Sequence, residues 1–187
     1  MYRATTWLAL RRGIDAHDTA ALTALAEHAR IDAREAPVGD AERTIVIIDG
    51  ADATPHLRDA DVEAHVSLVS RVAGVRTALM RIQRDLAADG GVVMAGRDIG
   101  TVVLPSADLK VYLDASQHVR AERRAEQMRG GDQARHIDAL MADLARRDGI
   151  DSARDVSPLT VADNAVIINT DEMTIDEVVA RIVELAT

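Results

Sequence analysis

Apolar and charged residues alternate with a helical period across residues 4–30. Leu22, Leu25, Ala26 and Ala29 are spaced i, i+3, i+4 and i+7, which places them on one face of a helix. The same spacing returns between residues 61 and 89, where Gly74 predicts a break between two helices.

The pattern changes to that of short strands between these helical regions. Ile31–Glu35 and Thr44–Ile48 are predicted strands, and Asp49-Gly50 is a strong hairpin signal. Residues 51–54 are expected to form the return strand. We therefore interpret residues 30–56 as a small antiparallel insertion.

The second half of the chain carries three continuous apolar runs with helical segments between them. The runs are Val92–Ala95, Leu109–Leu113 and Ala165–Ile168. Strands that are apolar on both faces and alternate with helices indicate a parallel sheet covered on both sides. The segment around residues 137–144 is a predicted helix, and Thr174 with Glu177 predicts a capping box at the start of the last one. The predicted fold class is α/β.

Composition narrows the classes of function. Of 187 residues, 48% are hydrophobic but 2% are aromatic, so we expect one aliphatic core. The net charge of −9 and the few aromatics argue against nucleic-acid binding. No cysteine is present, which excludes disulfides and thiolate chemistry, and no apolar run has membrane-spanning length. We expect a cytoplasmic protein with no membrane or nucleic-acid partner.

One candidate site follows the first apolar run. In open α/β sheets the ligand lies beyond the carboxyl ends of the strands, and Gly96 to Thr101 follow Ala95 there. Arg97 suits a phosphate and Asp98 can accept from an amine or hydroxyl, between glycines that let a ligand approach the backbone. A structural Arg–Asp pair in a loop is an equally good interpretation.

Two further groups of arginines are weaker signals. Arg147, Asp151 and Arg154 would share a helix face and could clamp an anion, although a solvated i,i+4 ladder explains the same spacing. Arg120 and Arg124, with Arg123, fit an ordinary mixed-charge helix surface. The histidines have no metal-ligand spacing, so we expect no metal site made of side chains alone.

Several segments, taken together and in order, resemble the bacterial cytidylate kinases, the (d)CMP kinases of the nucleoside-monophosphate kinase group. The specific segment is Gly96-Arg97-Asp98-Ile99-Gly100-Thr101. The corroborating segments are Met1–Ala4, Val102–Pro105, Leu109–Ser116, Arg120–Arg124, residues 147–159, Ala165–Ile168 and Thr174–Val179. The resemblance covers essentially the whole chain.

The resemblance implies a P-loop-kinase-like parallel sheet and ATP-dependent phosphorylation of CMP or dCMP, with Mg²⁺. Its core would be residues 1–29 and 57–187, with a lid-like helical hairpin at about 117–154 and the 30–56 insertion over the monophosphate. We expect a monomer.

The resemblance also implies roles for individual residues. Arg76, Arg147 and Arg154 would contact the acceptor phosphate and the transferring group, the last two as catalytic residues. Arg97 and Asp98 would read cytosine. The remaining implied contacts are Asp151 to the sugar, Tyr2 and Arg3 beside the monophosphate pocket, and Arg120 and Arg124 on the ATP side.

One departure from the family pattern bears on activity. No segment of the 187 residues matches the glycine-rich ATP loop G-x-x-x-x-G-K-[ST], and the one lysine, Lys110, lies in a predicted strand. We therefore expect a (d)CMP kinase whose fold lacks its N-terminal ATP-loop segment, and a chain that is inactive by itself. The alternative is a non-catalytic protein that binds a nucleoside monophosphate, or a decayed paralogue.

Overall fold

The computed structural model describes residues 1–37, 44–127 and 160–187, together with the isolated positions 137, 141, 142 and 145. The chain divides into two compact units, residues 1–92 and 93–187. The first contains a three-stranded antiparallel sheet and the second a parallel pair of strands, each with helices. The protein is therefore of mixed α/β class, as predicted.

The first unit combines four helices with the small sheet. Its elements are α1 (Tyr2–Arg11), α2 (Thr19–His28), β1 (Ile31–Glu35), β2 (Thr44–Ile48), β3 (Ala51–Asp52), a 3₁₀ turn (Thr54–His56), α3 (Ala60–Val69) and α4 (Ala73–Leu86). Both predicted strands have the predicted bounds, and the insertion is antiparallel.

The hairpin forms at the predicted dipeptide. Asp49 and Gly50 both have positive φ, which is the backbone that such a turn requires. The Asp49 carboxylate accepts from the Arg30 amide at 2.9 Å and from Arg12 Nη2 at 2.6 Å, which ties the turn to the end of α1. The return strand is shorter than predicted because Thr54 begins the 3₁₀ turn.

The core of this unit is aliphatic, as the composition predicts. Its largest fully buried apolar side chains are Leu22, Ile48, Val62, Val69, Val75 and Leu79. Trp7 also belongs to this core. Thr5 and Thr6 are buried as well, and their hydroxyls donate to the carbonyls of Met1 and Tyr2 one helical turn earlier. Their hydrogen bonds offset the cost of burying a hydroxyl.

Gly74 has a different role from the predicted helix break. The link between α3 and α4 is residues 70–72, and Gly74 lies in the first turn of α4. A Cβ at Gly74 would lie 2.3 Å from Thr23 Cγ2 on α2 and 2.8 Å from Thr23 Cβ. Glycine is therefore needed for the close approach of two helices.

The second unit contains the parallel strands. Its elements are a π-helical turn (Ile99–Val103), β4 (Val111–Asp114), α5 (Gln117–Gln127), β5 (Val166–Asn169) and α6 (Ile175–Ala186). β4 and β5 pair in parallel from Val111 with Val166 onward, which confirms two of the three predicted strands. The predicted capping box is present: Thr174 hydrogen-bonds Glu177 at the start of α6, and these bonds lower the pKa of the Glu177 carboxyl.

The prediction of a strand at Val92–Ala95 is wrong. Residues 92–95 form no strand, and Val93 is 96% exposed. An apolar run becomes a strand only when a neighbour completes its hydrogen bonds, and no described strand pairs with this segment. The apolar pattern therefore indicates a preference for strand structure, but no described strand pairs with this segment.

Arg123 holds the end of β5 against α5. Its Nη1 donates to Thr170 Oγ1 at 2.9 Å, and its Nη2 donates to the Thr170 carbonyl. Thr170 is buried, and its amide and hydroxyl donate to the Asp114 carbonyl at 2.8 and 3.0 Å. One guanidinium thus joins α5, β5 and, through Thr170, the end of β4.

The described helices are short. The longest of them, α4, has 14 residues, and none of those in the described residues is long and apolar enough to cross a membrane. The predicted helix around residues 137–144 and the part of the 117–154 hairpin beyond Gln127 lie outside the described residues, apart from the four isolated positions.

We expect Gly74→Ala to destabilise the protein. Alanine raises helix propensity by about 1 kcal/mol, but overpacking costs about 1–3 kcal/mol. The expected net loss is therefore up to about 2 kcal/mol, measured as a lower urea midpoint. Thr23→Ala in the same background should restore part of the loss, because it removes the two atoms nearest the new methyl group. A more stable Gly74→Ala variant would contradict the close approach.

Arg123→Lys should destabilise the second unit although it keeps the charge. Lysine lacks the two-nitrogen fork that reaches both Thr170 acceptors, so we expect a loss of about 1–2 kcal/mol in urea unfolding. Arg181→Lys is the matched control, because Arg181 pairs with Glu184 on the exposed side of α6. That variant should stay within about 0.5 kcal/mol of the parent. Equal losses in both variants would refute the role of the fork.

Candidate functional site

Two of the predicted site residues meet at the start of α1. The Arg76 guanidinium lies over the Tyr2 ring, with its central carbon 5.5 Å from the ring centroid. Arg76 is buried, with 6% of its surface exposed, and its Nη1 donates to the Ser70 carbonyl at 3.2 Å. An aromatic face and a carbonyl oxygen both stabilise a buried cation.

Arg3 lies in the same helical turn but is held differently. Its Nη1 donates to the Leu57 carbonyl at 2.8 Å and to Glu63 Oε1 at 3.0 Å. The side chain of Arg3 is 34% exposed and that of Glu63 is 20% exposed. The sequence Tyr2-Arg3 therefore brings two guanidinium groups to the first turn of α1, one buried and one accessible from solvent.

The fold explains why these side chains converge. α1 packs along α3, which contributes Glu63, and the short link from α3 to α4 contributes the Ser70 carbonyl. Arg76 follows in the first turn of α4. Glu63 and Ser70 are not among the site residues predicted from the sequence. No local pattern identifies Glu63, because its partner is 60 residues away along the chain.

Arg97 and Asp98 lie in the second unit, where Arg97 is exposed and Asp98 is half-buried. The sequence predicts that they follow the end of a strand, but no strand precedes them. Asp98 instead begins the π-helical turn, and its carbonyl accepts from the amides of Val102 at 2.9 Å and Val103 at 3.1 Å. The backbone of the cytosine-reading candidate is therefore fixed by a local turn rather than by a sheet.

The two glycines of this segment differ in how closely side chains of this chain approach them. A Cβ at Gly96 would lie 2.8 Å from Ile99 Cγ1, and one at Gly100 would lie 3.4 Å from Lys110 Cδ. Ile99 is buried. The sequence analysis expected the glycines to admit a ligand to the backbone. The structure instead assigns Gly96 to internal packing.

The remaining predicted residues divide between described and undescribed parts. Arg120 and Arg124 are half-buried on α5. Arg147, Asp151 and Arg154 lie outside the described residues. Lys110 precedes β4, and its Nζ donates to Asn164 Oδ1 at 2.7 Å. The one lysine of the sequence is therefore engaged by a neighbour in its own unit.

The charged side chains that meet at the first turn of α1 include two guanidinium groups. Among residues 1–37, 44–127 and 160–187, no three His, Asp or Glu side chains cluster closely enough to hold a metal. The first unit instead presents Arg3 and Arg76, whose planar donors match phosphate oxygens. This arrangement can bind and orient an anionic group, and Mg²⁺ would fit it as an ion carried on nucleotide phosphates.

An open groove of about 480 Å³ lies on the first unit but contains none of the predicted site residues. It is lined by Ala29–Asp32, Ile47, Gly50, Ile82, Asp85 and Leu86.

Comparison with known proteins points to one family. A family model described as Cytidylate kinase matches residues 1–187. The cytidylate kinase of Bacillus licheniformis is 44% identical over 99% of this chain and 80% of its own length. That of Nocardia farcinica is 45% identical over 96% of this chain and 76% of its own length. The bifunctional pantoate ligase/cytidylate kinase of a Synechococcus species (strain JA-3-3Ab) is 44% identical over 99% of this chain and 34% of its own length.

Proposed function

The chain belongs to the cytidylate kinase family, and on that premise we propose that it serves the transfer of the γ-phosphoryl group of ATP to CMP or dCMP. The observation that carries this proposal is the match of the family model to residues 1–187 together with the two guanidinium groups at the first turn of α1. Basic residues near an acceptor phosphate are what phosphoryl transfer requires.

The reaction needs positioned charge and little covalent chemistry from the protein. An oxygen of the CMP phosphate bonds to the γ-phosphorus, the bond from that phosphorus to the bridging oxygen breaks, and ADP leaves. Arg76, which is buried and fixed, contributes to holding the acceptor phosphate, and Tyr2 and Arg3 border it. Mg²⁺ carried by ATP supplies charge neutralisation at the phosphates.

The other proposed roles rest on the family pattern. Arg97 and Asp98 read the cytosine ring, and Asp151 holds the sugar. Arg147 and Arg154 stabilise the transferring group, with Arg120 and Arg124 on the ATP side. A cytoplasmic location, a monomeric state and the two-part domain division remain predictions from the sequence.

A second candidate function is binding of a nucleoside monophosphate without catalysis. For a polypeptide of these 187 residues it is favoured because none of their segments matches G-x-x-x-x-G-K-[ST] and their one lysine, Lys110, hydrogen-bonds Asn164. In P-loop enzymes such a segment supplies backbone amides and a lysine to the ATP phosphates. The two candidates differ in turnover and share the monophosphate site.

A polypeptide of these 187 residues alone should bind CMP and show no CMP-dependent release of ADP from ATP above background. The reason is that no segment of these 187 residues matches the glycine-rich loop that supplies amides and a lysine to the ATP phosphates. A coupled assay for ADP measures it, with the cytidylate kinase of Bacillus licheniformis as positive control. CMP-dependent turnover by this polypeptide would show that another segment holds the phosphates.

The protein should prefer CMP over UMP through Asp98. The carboxylate can accept from the exocyclic amine of cytosine, which uracil lacks, and such a bond is worth roughly 10- to 100-fold in affinity. In calorimetric titrations Asp98→Ala should reduce the CMP/UMP preference to within about threefold. Asp108→Ala is the matched control, since Asp108 is an exposed acid in the same unit. Equal affinity of the parent for both nucleotides would rule out this role.

A further inference from the structure

Glu63 touches the proposed monophosphate site without being part of the family pattern noted in the sequence. Glu63 lies on α3 and Arg3 lies on α1. The Oε1 atom of Glu63 accepts a hydrogen bond from Arg3 Nη1 at 3.0 Å. We infer that Glu63 is a positioning residue, which orients the Arg3 guanidinium toward the phosphate of the acceptor nucleotide. This inference rests on the proposed function, because it takes a phosphate-bearing ligand as the partner of Arg3.

The hold on Arg3 is a two-point hold. Nη1 also donates a hydrogen bond to the Leu57 carbonyl at 2.8 Å. Leu57 directly follows the 3₁₀ turn. Glu63 belongs to the first turn of α3, where its amide donates to the Asp59 carbonyl. One acceptor is thus carried by a helix and the other by the turn that ends the 3₁₀ segment. A guanidinium held from two rigid points loses less entropy when it binds a ligand.

The hold leaves one edge of the guanidinium available. Both contacts use Nη1, and in the part of the chain that the structure describes Nε and Nη2 of Arg3 make no hydrogen bond. Two parallel donors on one edge match two phosphate oxygens. The side chain of Arg3 is 34% exposed, so a ligand in solvent can reach this side chain.

Charge supports the same role. Tyr2 and Arg3 are neighbours, and the Tyr2 ring carries the Arg76 guanidinium, so two like charges share the first turn of α1. Like charges repel each other, so a carboxylate beside Arg3 is electrostatically favourable in this turn. The Glu63 carboxylate offsets this repulsion and keeps Arg3 in place when no phosphate is bound.

A purely structural role of Glu63 predicts that its loss weakens the binding of CMP and of cytidine equally. A partly exposed ion pair contributes only about 0–1 kcal/mol to folding, so loss of Glu63 should hardly change the melting temperature. Loss of a correctly oriented guanidinium should weaken binding of a phosphate-bearing ligand and leave the affinity for the free nucleoside unchanged. Cytidine and CMP therefore separate the two roles.

The test is calorimetric titration of the 187-residue chain and its variants with CMP and with cytidine. We expect Glu63→Ala to weaken CMP binding by about 10-fold, the loss of one charge-assisted hydrogen bond, with cytidine binding unchanged. Glu63→Gln should recover much of the CMP affinity, because its amide oxygen still accepts from Nη1. Glu27→Ala, which removes an exposed acid from α2 in the same unit, should change neither affinity.

A double-mutant cycle isolates action through Arg3. If Glu63 works only by orienting Arg3, then Arg3→Ala/Glu63→Ala should bind CMP as weakly as Arg3→Ala alone. Additive losses, or equal losses for CMP and cytidine, would overturn the positioning role. Should Glu63→Ala fail to fold, Glu63→Gln replaces it in the cycle, where its smaller loss must likewise vanish in the Arg3→Ala background.

The outcomes also separate this inference from the proposed function. A parent chain that binds no CMP, or an Arg3→Ala variant with unchanged CMP affinity, counts against the proposed monophosphate site. A parent that binds CMP and is weakened by Arg3→Ala but not by Glu63→Ala overturns the positioning role alone.

Discussion

The buried guanidinium of Arg76 is the constraint on which the architecture of the proposed site depends. A charged group with 6% of its surface exposed is stable only when its surroundings stabilise the charge. Here the Tyr2 ring comes from α1 and the Ser70 carbonyl from the link between α3 and α4. This buried cation of α4 thus contacts both the first turn of α1 and the link that joins α3 to α4.

Arg3 complements this buried charge with one that is partly exposed to solvent. It belongs to the same helical turn but is a third exposed, and its partners are a carbonyl and a carboxylate at one nitrogen. Arg76 is buried among residues of the first unit, whereas Arg3 is partly exposed and can be reached from solvent. This division of labour suits a kinase, whose acceptor phosphate must be both bound and oriented.

Close packing in the first unit and cross-linking in the second show how each unit is held together. α2 and α4 approach so closely that Gly74 admits no Cβ without displacing Thr23. In the second unit, where the sheet has two described strands, the Arg123 guanidinium and Thr170 connect α5 with the strand ends through hydrogen bonds.

The sequence by itself determined the features that depend on neighbours along the chain. The helix face at Leu22 and Leu25, the Asp49-Gly50 hairpin and the Thr174 capping box all formed where the pattern predicted them, because their interactions span only a few residues. The motif around Arg97 and Asp98 likewise identified the family. A family resemblance compares residues in order along the chain and needs no knowledge of their contacts.

Only the tertiary structure decided the features that join distant parts of the chain. The pair of Arg3 with Glu63 and the contact of Gly74 with Thr23 have no local signature. The segment Val92–Ala95 has the composition of a strand, yet it forms none, since a strand requires hydrogen bonds from a partner that its own residues cannot provide. Local patterns record what a segment prefers, and the partners available in the folded chain decide whether that preference is realised.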